Sequence, residues 1–127
     1  MFQIDVMSRT PIYEQLMNQV ENFILAGILN AGDKLPSVRS LSMELAVNPN
    51  TIQKAMAELD RKGLVVSVPG KGCFISETAS KALSVAKRGD LAMIREKLTE
   101  LKLAGVRKEE ILACVDAVFD EEEEKND

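Results

Sequence analysis

A mainly α-helical chain with one small β-hairpin follows from three observations on its 127 residues. Apolar residues recur at helical spacing in three segments before Gly63. Two short runs rich in β-branched and aromatic residues flank Pro69-Gly70-Lys71-Gly72, and helical spacing returns beyond Thr78. Together they predict a winged helix-turn-helix followed by an antiparallel pair of C-terminal helices.

In PIYEQLMNQVENFILAG, Ile12, Leu16, Val20 and Ile24 stand four apart, Tyr13, Met17 and Phe23 widen the stripe, and Gly27 can end the helix. Gly32-Asp33 then marks a turn, and Leu35-Pro36 an extended step, because the residue before proline disfavours the helical region. Ser37 is positioned to cap a short helix through Leu45 with Val38, Leu41 and Leu45 facing inward. Ala46 and Val47 alone separate it from Asn48, a second capping residue, followed by Pro49 at the first helical position, where the missing N–H leaves no bond unmade. This third helix is expected from about Pro49 to Lys62, with Ile52, Met56 and Leu59 inward and Gly63 as terminator. Two helices joined by so short a turn have the spacing of a helix-turn-helix, whose second helix enters the DNA major groove.

Asn50, Gln53, Lys54 and Ala57 fall opposite the buried stripe, a row that can read base edges. The same row is also what the solvated face of any amphipathic helix looks like. The helix dipole and free N–H groups at Asn48-Pro49-Asn50-Thr51 would favour phosphate as well. In the hairpin formed by LVVSV and CFIS, the glycines let the backbone approach a phosphate and Lys71 supplies charge; an ordinary glycine-rich turn would read alike.

Beyond Thr78, Leu83, Ala86, Met93, Ile94, Leu98 and Leu101 mark one stripe. Ala104-Gly105-Val106 breaks it, and Ile111, Val115, Val118 and Phe119 mark another. About fifty residues in two helices cannot enclose a core, so these stripes need a second surface. Dimerisation through Leu98, Leu101, Ile111, Val115, Val118 and Phe119 supplies one; folding back onto the winged helix is the alternative. The expected division is thus 1–76 for DNA and 77–127 for dimerisation, ending in the acidic run Asp120-Glu121-Glu122-Glu123-Glu124, which should fray or stay solvated.

Charge is distributed unevenly. Residues 1–76 carry seven basic and seven acidic side chains and residues 77–127 nine and thirteen, so the net charge of −4 says little about the first part. Cys73 and Cys114 lie far apart with no CxxC pair and no histidine, which predicts two buried reduced thiols and no metal site. Without histidine, a phosphate-loop pattern or paired carboxylates on rigid positions, no enzyme and no cofactor is expected. The chain opens without a charged-then-apolar leader and has no apolar run near the roughly 20 residues that span a bilayer, so a cytoplasmic protein without membrane partners is expected.

The combination PIYEQL, LPSVRSLSMELAVNPNTIQKAMAELDRKGLV and GKGCFI resembles the DNA-binding domain of the GntR family of bacterial transcription regulators over residues 10–76. The short C-terminal region is similar to the YtrA-type subfamily, whose members carry no large effector-binding domain. The resemblance implies operator contacts by the LPSxR element, here Ser37 and Arg39. It also implies them by the turn and start of the recognition helix, here Asn48, Pro49, Asn50, Thr51, Gln53 and Lys54, and by the wing tip Gly70, Lys71 and Gly72 in or beside the minor groove. Pro49 departs from members that carry an arginine there, which reduces cationic readout. A homodimeric repressor on a palindromic operator, of a membrane-transport operon, is what the resemblance implies. A winged-helix module that binds protein is the competing reading, and a fused aminotransferase is excluded by length. An unidentified small-molecule effector would have room only between the two parts or across the dimer, and no residue cluster marks such a site.

Overall fold

The computed structural model describes residues 1–126, with side chains to Glu121. It contains α1 (Ile12–Leu25), α2 (Val38–Leu45), α3 (Pro49–Arg61), β1 (Val65–Val68), β2 (Gly72–Ile75), α4 (Ala79–Arg88), α5 (Leu91–Leu103) and α6 (Lys108–Asn126). These form two compact units, Met1–Lys87 and the chain from Arg88 onward.

The first unit is built around the stripes that helical spacing predicts. Leu16, Val20 and Ile24 of α1, Leu41 of α2 and Ile52, Ala55 and Leu59 of α3 are buried together with Leu64, Val65 and Ile75 of the hairpin region. Burying a side chain of this size contributes about 1.5–3 kcal/mol. Met56, expected inward, is only half buried, and Ala55 takes its place in the core. The smaller side chain lets α3 lie close to its neighbours.

Both predicted caps form. Ser37 Oγ accepts from the Ser40 N–H at 3.0 Å, and Asn48 Oδ1 accepts from the Asn50 N–H at 2.8 Å. Between the helices Ala46 adopts φ 55°, a left-handed conformation unusual for a residue with a Cβ. The turn is held there by the Val47 N–H donating to Ser42 O at 3.1 Å and by Ser42 Oγ donating to Val47 O at 2.6 Å.

β1 and β2 pair antiparallel, Val65 with Ile75 through Val68 with Gly72. Pro69-Gly70 make the turn, closed by the Lys71 N–H donating to Val68 O at 3.0 Å, with Gly70 at φ 76° as a type II turn requires. The segment before α2 lies along the other edge of β2. Leu35 N–H donates to Cys73 O at 2.9 Å and Ile75 N–H to Asp33 O at 2.8 Å, with a bridge between Lys34 and Phe74. The N-terminal residues are tied to α1 by two glutamines. Gln15 Oε1 accepts from the Asp5 N–H, Gln15 Nε2 donates to Asp5 O and Thr10 O, and Gln19 exchanges both of its bonds with the Gln3 backbone. Phe2 is buried against Phe23, ring centroids 5.5 Å apart.

Glu21 is buried in α1 and its Oε1 accepts from Lys62 Nζ at 2.7 Å, which joins α1 to the end of α3. Lys62→Met would leave that carboxylate unpaired. Because Lys62 is itself 40% exposed, the expected loss is only about 1–2 kcal/mol, read from the urea midpoint. An unchanged midpoint would mean that solvent reaches Glu21.

The C-terminal region departs from expectation in two ways. Leu83 and Met93 do not share a helix, because Gly89-Asp90 separate α4 from α5; apolar spacing carries across that break, so it was not visible in the period. Moreover Ala79 and Leu83 are buried in the first unit's core, anchoring the start of α4 there. In the second unit, none of the described residues from Arg88 to Glu121 is buried. Gly105, at φ 87°, ends α5 as expected, with the Val106 N–H donating to Leu101 O at 3.0 Å. Glu110 Oε2 then accepts from the Arg107 N–H at 2.8 Å and caps α6. The acidic run lies in α6, where Asp120 and Glu121 are exposed; the side chains from Glu122 onward lie outside the described residues. Cys114, expected buried, is exposed, because it lines the open cleft between α5 and α6, and Cys73 is half buried.

Candidate nucleic-acid interface

α3 carries its functional row where the core forces it to be. With Ile52, Ala55 and Leu59 buried, Asn50, Gln53, Lys54 and Ala57 all face solvent. Asn48 and Pro49 are exposed at the entry and Thr51 is half buried. On α2, Arg39 is exposed and has no carboxylate partner among the described residues; the same is true of Lys71 at the wing tip. Cations with no internal partner keep their full charge for an anionic one.

The N–H groups expected to be free for phosphate at Asn48-Pro49-Asn50-Thr51 are taken where α3 begins: Pro49 has none, Asn50 gives its own to the Asn48 side chain, and Thr51 and Ile52 donate to Asn48 O at 3.0 and 3.3 Å. A good cap removes the donors a phosphate would use. Charge at this end must therefore be met by side chains and the dipole rather than by main-chain donors.

The wing and the start of α2 enclose a groove of about 500 Å³ that brings Ser37, Gly70, Lys71 and Gly72 to one place. Sequence reasoning missed Lys34, whose stem packs on Gly72 beside the wing tip: a Cβ on Gly72 would stand 2.8 Å from Lys34 Cε. Gly72 also has φ 124°, a conformation that side chains rarely adopt. Gly72→Ala is expected to cost about 1–3 kcal/mol in urea unfolding, from backbone strain and displacement of the Lys34 stem. A midpoint equal to that of the wild type would show that the hairpin relaxes freely. Sequence reasoning also missed Tyr13, whose ring underlies Lys54 with Nζ 4.1 Å from the centroid. No local signal could have found either residue, since each acts through a partner far along the chain.

In the second unit, α5 and α6 wall an open apolar cleft of about 640 Å³ that includes Leu98, Leu101, Ile111 and Val115 of the expected dimer set. Val118 and Phe119 do not line it, but they are exposed on α6 at 58% and 62%, large apolar surfaces for a helix in water. Among the described residues no group of three or more acidic or cysteine side chains could hold a metal, and no helix is long and apolar enough to cross a membrane.

Comparison with known proteins adds an independent line. Residues 12–75 match the model of the bacterial regulatory proteins, gntR family. The chain is 44% identical over 115 residues to the HTH-type transcriptional repressor YtrA of Bacillus subtilis, covering 87% of this chain and 86% of that one. It superposes on a GntR family transcriptional regulator from Listeria monocytogenes with TM-score 0.72 and 34% identity, over 90% of this chain and 98% of the other. The AraR DNA-binding domain in complex with operator ORE1 matches 60% of this chain and 93% of its own length, with TM-score 0.51 and 28% identity.

Proposed function

Because the chain belongs to the gntR family of bacterial regulatory proteins, which are DNA-binding transcription regulators and not enzymes, we propose that it is a cytoplasmic homodimeric repressor that occupies a palindromic operator. The observation that carries this reading is the outer row of α3, polar and exposed on a helix whose other side is locked into the core. A helix held this firmly presents Asn50, Gln53 and Lys54 to base edges in one orientation. Arg39 joins them in base discrimination. Ser37, Asn48, Pro49 and Thr51 set the helix starts against the DNA backbone, and Gly70, Lys71 and Gly72 take the wing to the minor groove.

Residues 1–76 bind DNA on this reading, and residues 77–127 make the dimer. Support for the second part is the absence of any buried residue from Arg88 to Glu121, because a helical pair with that much exposed apolar surface needs a covering. The cleft's mostly apolar lining suits a helix of a second copy. Similarity to a protein named a repressor, across most of both chains, supports repression by occupancy. A membrane-transport operon as the target rests on the subfamily resemblance.

Selection of duplexes from a random-sequence pool by the wild-type protein tests the proposal. A two-fold symmetric motif should emerge, bound far more tightly at physiological salt than a scrambled duplex of equal length. Equal binding to both duplexes would reject operator reading in favour of a general electrostatic binder or a protein-interaction module.

A further inference from the structure

Lys54 and Tyr13 stand on different helices and meet at one contact. The Lys54 ammonium lies over the Tyr13 ring, 4.1 Å from its centroid and well within the roughly 6 Å reach of a cation–π interaction. Tyr13 is half buried in the first turn of α1, and its hydroxyl donates to Glu14 Oε1 at 3.3 Å. Partial burial, and after it Glu14 and Glu58, raise the phenol above its ordinary value of 10, so the ring is neutral throughout the physiological range. The carboxylate one turn along from Lys54, Glu58, is engaged by Arg61 at 2.8 Å, and Lys54 forms no ion pair among the described residues. A ring therefore holds this ammonium where a carboxylate could have done so.

That difference matters for binding DNA. A lysine paired with a carboxylate is neutralised and has to be freed before it can meet a base or a phosphate. On a ring it keeps its charge and an open side, while its long stem is already partly ordered. We propose that Tyr13 is a positioning residue for sequence readout, its ring holding Lys54 in the outer row of α3 so that the ammonium is presented to one base pair of each half-site. The proposal rests on α3 being the recognition helix, and it adds α1 to the reading surface.

The test is a double-mutant cycle on the duplex selected by the wild-type protein. Tyr13→Leu should weaken binding about two- to fivefold per half-site, the size of an exposed cation–π contact, and Tyr13→Phe, which keeps the ring, should not. In both Tyr13→Leu and Lys54→Met the preference should relax at the same base pair, and Tyr13→Leu should add nothing in a Lys54→Met background. The chain has one tyrosine and no tryptophan, so tyrosine emission reads the contact directly. Lys54→Met should alter the emission of the free protein, and Gln53→Ala should leave it unchanged. An even loss over all sequences, full additivity of the two losses, or equal losses for Tyr13→Phe and Tyr13→Leu would each overturn the proposal. If Gln53→Ala and Arg39→Ala relax specificity but Lys54→Met does not, this proposal alone fails. If the wild type has no sequence preference, the reading of α3 fails as well.

Discussion

Replacing both Ile111 and Val115 with aspartate should yield monomers. Each residue lies on α6 beside the apolar cleft, Ile111 half buried and Val115 45% exposed in the single chain, so a second copy would complete the burial of both. A two-fold dimer of the double variant would enclose four carboxylates, and Lys97, the cation that lines the same cleft, is already paired with Glu100 at 3.2 Å, so the cost is several kcal/mol for each unpaired charge. The dimer dissociation constant should rise by more than about a thousandfold. Sedimentation equilibrium reads the change. The first unit has its own buried core and should keep its cooperative unfolding, which separates lost association from lost folding. An intact dimer in the double variant would move the interface off this face. Removing residues 120–127 should leave the dimer in place, because that segment has almost no apolar side chain.

The second large effect separates base reading from general attraction. Arg39→Ala or Gln53→Ala should cost about 1–3 kcal/mol on the selected duplex and relax the preference at one base pair per half-site. Lys71→Ala should weaken all duplexes more evenly. It should also lower the dependence of log affinity on log salt by roughly one for each phosphate that the protein no longer neutralises, hence by about two for a symmetric dimer. Titrations of the selected and scrambled duplexes over a range of salt distinguish the two patterns. A uniform loss with Gln53→Ala would place that residue on the backbone and not on a base edge.

Local chemistry made much of the first unit legible. Ser37 and Asn48 cap the helices they were expected to cap, since each needs only a donor two or three residues ahead. The wing turn was equally legible, because Pro69-Gly70 suits a type II turn whatever surrounds it. Failures came where a period continued across a break or where a capping group competed for donors. Leu83 and Met93 keep helical spacing through Gly89-Asp90, yet Leu83 is drawn into the first core and Met93 is left exposed. The N–H groups thought free at the start of α3 are taken by the same Asn48 that made the helix start predictable.

As far as the end of β2, the sequence by itself determined the order of helices and hairpin, the caps at Ser37 and Asn48, the wing turn, and which row of α3 would face outward. Those features depend on side-chain periodicity and on hydrogen bonds between near neighbours, which the order of residues states directly. Tertiary structure alone decided that Ala55 and not Met56 seals the core, that residues 33–35 lie along β2, that Lys34 packs on Gly72, and that Tyr13 carries Lys54. Each of these joins residues whose distance along the chain says nothing of their distance in space, and each depends on how closely α1, α2, α3 and the hairpin pack. Exposure of Cys114 and of the α5 and α6 stripes belongs to the same class, since burial is a property of what an element is packed against and not of the element alone.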